Sequence, residues 1–167
     1  RDILRAHGFH QYEISNFARP GAECLHNIGY WQGAYYLGLG VSAHSLLPAR
    51  DEEKETGAFY IRASNFSNTA DYCRAMEEKD TAAESRQPIS RKEAKFEAMM
   101  LGLRMNSGIS GTDFQRRFGT SIRSVYEAPL EQAVQNGLGL WTADGGYRLT
   151  AKGLLLENAV AVELMEC

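Results

Sequence analysis

Cysteine is scarce in this sequence and poorly spaced for chemistry. Cys24, Cys73 and Cys167 are the only three among 167 residues. They are too few for a disulfide scaffold and form no Cys-x-x-Cys metal knuckle. A reducing, cytoplasmic setting is the expectation. Long apolar runs are also missing: no stretch approaches the roughly 18 residues that a membrane span needs. An excess of basic charge is absent as well. Lys and Arg number 18 against 21 Asp and Glu, a net charge of −3, which excludes a broad basic surface for nucleic acid. There is no internal repeat and no low-complexity tract. An initiating Met is missing too. The chain opens Arg1-Asp2-Ile3-Leu4-Arg5, which reads as the middle of a helix and sets the expectation of a piece of a longer protein.

What is present divides near residue 50. All four histidines, His7, His10, His26 and His44, fall before it, so chemistry that titrates near neutral pH is concentrated there. Residues 1–7 read as a helix end stopped by Gly8. Phe9 to Phe17 alternates loosely and carries β-favouring residues, so a strand is expected. A helix running into a strand predicts an αβ unit of a parallel sheet or barrel. Residues 22–34 read as irregular, Tyr35 to Leu39 as a second strand, and residues 48–57 as a polar surface loop. A strand is expected over Phe59 to Ala63, then a helix from Asn68 or Thr69 to about Lys79. Residues 80–89, with Pro88, read as a linker.

The C-terminal plan is clearer. Ser90-Arg91-Lys92-Glu93 is a capping box, and Phe96, Met99, Met100 and Leu103 follow at helical spacing. A short helix from Thr112-Asp113 to Phe118 comes next. Another runs from Ser121 to Asn136, and Pro129 is expected to kink it. A hairpin over 137–150 and a last helix capped by Thr150 complete a winged-helix order. Such a fold can bind DNA. Between Ile109 and Gly153, however, five basic residues face four acidic ones. A net of +1 supplies little counterion-release affinity, which favours a structural or lid module.

Three motifs carry candidate chemistry. Gly38-Leu39-Gly40-Val41-Ser42-Ala43 matches a dinucleotide fingerprint. Pro48 arrives too soon for the helix such a fingerprint must open, and Phe59-Tyr60 occupies the place of the expected acid. Two readings of the glycines stay open: close approach of backbone to a ligand, or a tight strand-to-loop turn. His26-Asn27-Ile28-Gly29-Tyr30-Trp31 gathers an imidazole, an amide, a phenol and an indole two positions after Cys24. Imidazole and thiolate bind iron or zinc, and the rings suit a flat apolar ligand. The alternative is a loop whose aromatics plug a barrel end. Glu13 stands mid-strand beside Tyr12. A buried carboxylate there must be paired, protonated or functional.

Tyr12-Glu13-Ile14-Ser15-Asn16-Phe17-Ala18, then His26-Asn27-x-x-Tyr30-Trp31, then Gly38-Leu39-Gly40-x-x-Ala43-His44-Ser45 closely resemble the oxygen-independent coproporphyrinogen III oxidase family of radical SAM proteins. The Leu149-Thr150-Ala151-Lys152-Gly153-Leu154 ending resembles that family's C-terminal domain. The His-Asn-x-x-Tyr-Trp element resembles the family's heme-chaperone branch. The resemblance implies a mixed α/β and α fold. Residues 1–65 would be the end of a partial TIM-type barrel, 66–89 a connecting helix and linker, and 90–167 a winged-helix-like domain. It implies a [4Fe–4S] cluster and S-adenosylmethionine in the full-length protein. Cys24, Cys73 and Cys167 stand 49 and 94 positions apart, so the family's three-cysteine motif is not among these residues and no cluster is expected here. No catalytic residue is assigned to this part of the protein.

Carried over residue by residue, Gly38, Gly40, Ala43 and His44 match the loop beside S-adenosylmethionine. The true oxidases have an aliphatic residue at His44. His26 matches a histidine associated with heme and is the candidate axial ligand of the iron, with Tyr30 and Trp31 as its ring partners. Glu13 would face the barrel cavity. Two functions follow: binding heme and passing it to acceptor proteins, or oxidative decarboxylation of coproporphyrinogen III. The histidine favours heme, because an iron-free porphyrinogen has no use for an axial ligand. Exposed edges of a cut sheet make a dimer an expectation.

Overall fold

The computed structural model describes all residues except 80 and 166. In chain order the elements are α1 (Asp2–Ala6), β1 (His10–Gln11), β2 (Phe17–Ala18), α2 (Leu25–Trp31), β3 (His44–Pro48), α3 (Asp51–Glu55), β4 (Ala58–Asn65) and α4 (Thr69–Lys79). They continue with β5 (Ala83–Ser90), α5 (Arg91–Gly102), α6 (Gly111–Phe118), α7 (Ile122–Gln135), β6 (Gly139–Trp141), β7 (Tyr147–Leu149), a 3-10 turn (Gly153–Leu155) and α8 (Glu157–Glu163). They form two compact units. One joins Arg1–Gly33 to Lys95–Cys167, and the other is Ala34–Ala94.

The first unit has a helical core with a wing. Phe114 and Phe118 of α6, Ile122, Tyr126 and Leu130 of α7, Tyr147 and Leu149 of β7, and Val160 and Leu164 are all buried. The i, i+4 spacing puts each helix's apolar residues on one face. Ser110 and Ser121 cap α6 and α7, each side chain accepting from the backbone N–H three residues on. The long helix is broken at Tyr126, three residues before Pro129, as the ring's clash with the preceding turn requires. The wing is pinned by Asp144. Its carboxylate accepts from the hydroxyls of Thr142 and Ser110 and from the N–H groups of Gly111 and Gly146. Those bonds, Thr142's first, hold the carboxyl well below the usual range. On α7 the charge of Arg123 is engaged by Glu127 at 2.8 Å and Glu131 at 3.8 Å.

The second unit is an antiparallel sheet in the order β3-β4-β5. Central β4 buries Ala58, Tyr60, Ile61 and Ala63. The Ser90 cap of α5 forms as its sequence demands: Ser90 N–H donates to Glu93 Oε2 at 2.7 Å and Ser90 Oγ accepts from Glu93 N–H at 3.2 Å.

Several local expectations are corrected. Residues 9–17 are two short antiparallel strands, not one: Gln11 pairs with Phe17, and Tyr12 N–H donates to the Asn16 carbonyl. The turn formers Ser15 and Asn16 reverse the chain, so the pairing is antiparallel where a parallel αβ unit was expected. Residues 22–34 are not irregular, because they contain α2. Tyr35 to Leu39 forms only one bridge, Tyr36 to Leu46. The polar loop 48–57 contains α3, whose three acidic first-turn residues suit the positive end of the helix dipole. Where a linker was expected over 80–89, residue 80 lies outside the described residues and residues 83–89 belong to strand β5. Its side chains are mostly exposed, so no alternation marked it, and an edge position tolerates Pro88.

Burial pushes the hydroxyls of Tyr126 and Tyr147 up to about 12, with lesser contributions from Cys167 and Glu131 respectively. Tyr147 also donates to the Leu130 carbonyl at 3.0 Å. Both tyrosines hold their protons more tightly folded than unfolded. Their contribution is therefore complete below about pH 10, the unfolded value, and is lost as pH rises toward 12. Denaturant unfolding followed from pH 8 to pH 11.5 is expected to show that loss. Tyr147→Phe is expected to cost about 1 kcal/mol at pH 8 and to shrink the alkaline loss.

Candidate functional site

Apart from Glu13, the candidate site residues lie on two features, one in each unit. The first is α2. Seven residues are too few for a helix to persist in water unaided, so its contacts must hold it. Positions 27, 28 and 31 share one face and positions 26 and 30 another. On the inner face Asn27 Nδ2 donates to the Tyr12 hydroxyl at 3.2 Å. Ile28 and Trp31 pack on the buried cluster of Tyr12, Ala18 and Met105. On the outer face His26 is exposed and Tyr30 is 38% exposed. Their rings meet edge to face at 4.7 Å between centroids.

The cluster expected from sequence is thus split by helical geometry. His26 and Tyr30 stand together on the outside. Trp31 faces inward, and the guanidinium of Arg104 lies 4.5 Å from its ring centroid. Arg104 also reaches Glu157 at 3.7 Å. Burial raises the Glu157 carboxyl, against the pull of that guanidinium. Arg104 and Glu157 were not visible from sequence. Arg104 continues the register of the apolar run but lies past the end of α5 and belongs to no motif.

Glu13 is fully buried in the turn between β1 and β2. Its Oε1 accepts from Ser15 N–H at 3.1 Å. Its Oε2 and the Trp31 indole nitrogen have no hydrogen-bond partner among the described residues. The turn is stitched to 104–106: Ile14 N–H donates to the Arg104 carbonyl, Asn106 N–H to the Tyr12 carbonyl and Asn106 Nδ2 to the Gln11 carbonyl. A cleft of about 310 Å3 in this unit is lined by Arg1, Arg5, His10, Asn106 and Arg148 among others. Phe17, Leu149, Ala151 and Leu154 of the family motifs line it as well, whereas Glu13, His26, Tyr30, Trp31 and the loop over 38–44 do not.

The second feature is the loop before β3. Gly38 is required there, because a Cβ would lie 2.1 Å from the His44 carbonyl oxygen. The close approach is therefore to the loop's own backbone, and the turn reading of the glycines accounts for Gly38. Gly40 has φ of +97° and Ser42 of +59°. Asn65, at the end of β4, donates to the carbonyls of Gly38 at 3.3 Å and Gly40 at 2.9 Å. Gly38 N–H donates to Ser45 Oγ, and His44 Nδ1 bonds the Ser42 carbonyl. Ala43 pairs with Asn65 N–H through its carbonyl. The His44 side chain is exposed. Sequence reasoning missed Asn65, which carries no motif.

The three cysteines are exposed and free. Among the described residues no group of three or more His, Cys, Asp or Glu side chains could share a metal ion. These residues do not offer the three thiolates of a [4Fe–4S] cluster.

Residues 89–156 match the model of the HemN C-terminal domain. The chain is 32% identical to the heme chaperone HemW of Bacillus subtilis over 94% of its own length. It is 31% identical to HemW of Lactococcus lactis over 95%. It is also 31% identical over 95% to the mitochondrial radical S-adenosyl methionine domain-containing protein 1 of Danio rerio. The chain is therefore similar, along most of its own length, to the HemN and HemW radical SAM proteins. It spans about 38% of the length of the two bacterial relatives. The solved structure of coproporphyrinogen III oxidase (HemN) from Escherichia coli superposes on 98% of the chain and 38% of its own, with a TM-score of 0.67 at 18% identity. That likeness establishes the mixed α/β fold, with no closed barrel among the described residues. No described helix is long and apolar enough to cross a membrane.

Because the Asn65 amide holds two loop carbonyls, Asn65→Ala is expected to destabilise the second unit by about 1–3 kcal/mol. It should also speed amide exchange over 38–45. Gly38→Ala is expected to be more damaging, since the clash is with backbone. Thermal unfolding and hydrogen exchange of the two variants check both.

Proposed function

We propose that this chain is the heme-handling part of a radical SAM protein that binds heme and passes it to acceptor proteins in the cytoplasm. The observation that carries the reading is the outer face of α2. It presents an imidazole without burying it, with a phenol ring against its edge. An exposed imidazole can approach the iron of a planar ligand, and the Tyr30 ring can pack on the macrocycle. An iron-free porphyrinogen would gain nothing from His26, so heme delivery is favoured over decarboxylation. Two of the relatives are heme chaperones by name, and their likeness extends across α2.

In this reading the cluster and S-adenosylmethionine are held by parts of the whole protein beyond those this chain matches. Gly38, Gly40, Ala43 and His44 form the loop on the S-adenosylmethionine side. Trp31 supports α2 from within, leaving Tyr30 as the ring partner of the ligand. Glu13 braces the turn on which Tyr12 and α2 rest.

Titration of full-length protein with hemin tests the assignment. His26→Ala is expected to shift the Soret band and weaken hemin binding by at least about tenfold, the loss typical of damaged metal ligation. Identical spectra and affinity in wild type and variant would remove His26 as the axial ligand.

A further inference from the structure

Two arginines outside every recognised motif converge on α2. Arg104, just after α5, covers the Trp31 ring at 4.5 Å and is itself tied to Glu157 at the start of α8. Arg117, in the last turn of α6, reaches the carbonyl of Gln32 with Nη1 at 3.4 Å. Gln32 is the C-cap of α2, and Gly33 follows with φ of +67°. A Cβ at Gly33 would lie 2.7 Å from Arg117 Nη1, so the glycine leaves room for the guanidinium. A cation at this point offsets the negative end of the helix dipole and satisfies a carbonyl the helix cannot. The ring of Trp31 attracts the other cation through its negative face. α2 lacks a side-chain N-cap bond and carries Gly29 within it. Its own sequence therefore supplies little to hold it.

We propose that Arg104 and Arg117 are positioning residues that clamp α2 against the C-terminal domain, so that His26 and Tyr30 point outward in a fixed orientation. The winged-helix-like domain then serves as the support of the ligand-bearing helix. This assignment of purpose rests on the heme reading above, while the clamp itself rests on the contacts. Neither arginine touches the ligand. Arg104 acts through Trp31, and Arg117 acts through the carbonyl end of the helix.

The test uses the full-length protein and the variants Arg104→Leu, Arg117→Gln, Arg117→Lys and His26→Ala. In heme-free protein, hydrogen exchange of the amides over 25–33 is expected to quicken about tenfold in Arg104→Leu and Arg117→Gln. Exchange over α7 should stay as in wild type. Arg117→Lys keeps the charge near the carbonyl and should restore exchange to within about twofold. With hemin, the two neutral variants should shift the Soret band toward that of His26→Ala, and Arg117→Lys should not. Unchanged exchange over 25–33 would overturn the clamp even where His26→Ala alters the hemin spectrum, leaving the heme reading intact. Exchange that quickens equally over α7 would also overturn it, because the arginines would then support the whole domain. Local quickening with a silent His26→Ala upholds the clamp and removes the heme reading.

Discussion

A helix of seven residues makes too few internal hydrogen bonds to survive unaided in water. α2 exists because its inner face is gripped. Trp31 lies between the Tyr12–Ala18–Met105 cluster and the Arg104 guanidinium, and Asn27 is tied to the Tyr12 hydroxyl. The orientation of His26 and Tyr30 depends on that grip, since helical geometry places whatever is opposite the anchored face in solvent. The same contacts explain why residues 1–33 and 95–167 form one compact unit although 61 residues, Ala34–Ala94, intervene. Hairpin β1–β2 is stitched by backbone bonds to 104–106, and Arg104 follows directly from α5.

The loop over 38–45 solves a similar problem with different means. Its apolar side chains Leu39 and Val41 are left exposed, so its shape comes from hydrogen bonds and from conformations open to glycine. Asn65 holds two carbonyls that have no strand partner, and Gly38 lets the chain pass within contact of the His44 carbonyl. The Asn65 amide thereby satisfies half-buried loop carbonyls, and Gly38 makes room for the turn. A loop held this way presents a defined surface, which is what a binding loop needs, and it does so without assistance from an apolar core.

The parts legible in the sequence were those governed by short-range rules. The capping box at Ser90–Glu93, the kink before Pro129, the hairpin over 139–149 and the apolar faces of α5 and α7 each depend on residues within a few positions of one another. The misreadings had a common cause. β5 has no alternation because an edge strand buries little, and its hydrogen bonds come from β4. α2 has no apolar stripe because two of the three side chains on its inner face are an amide and an indole whose partners, Tyr12 and Arg104, lie far off in the sequence. The αβ reading of residues 1–17 failed because the strand was judged by composition, while Ser15 and Asn16 turned it back on itself.

The likeness to the HemN and HemW proteins and the candidate residues were legible in the sequence alone, since His26, Tyr30, Gly38 and His44 belong to contiguous motifs that need no folding to be recognised. Which of those side chains act together was decided only by the tertiary structure. Tyr30 joins His26 and Trp31 turns away because a helix advances about 100° per residue, and because Arg104, more than seventy positions downstream, covers the indole. No short-range rule reaches that far, and so the partners of the site residues became visible only once the chain was folded.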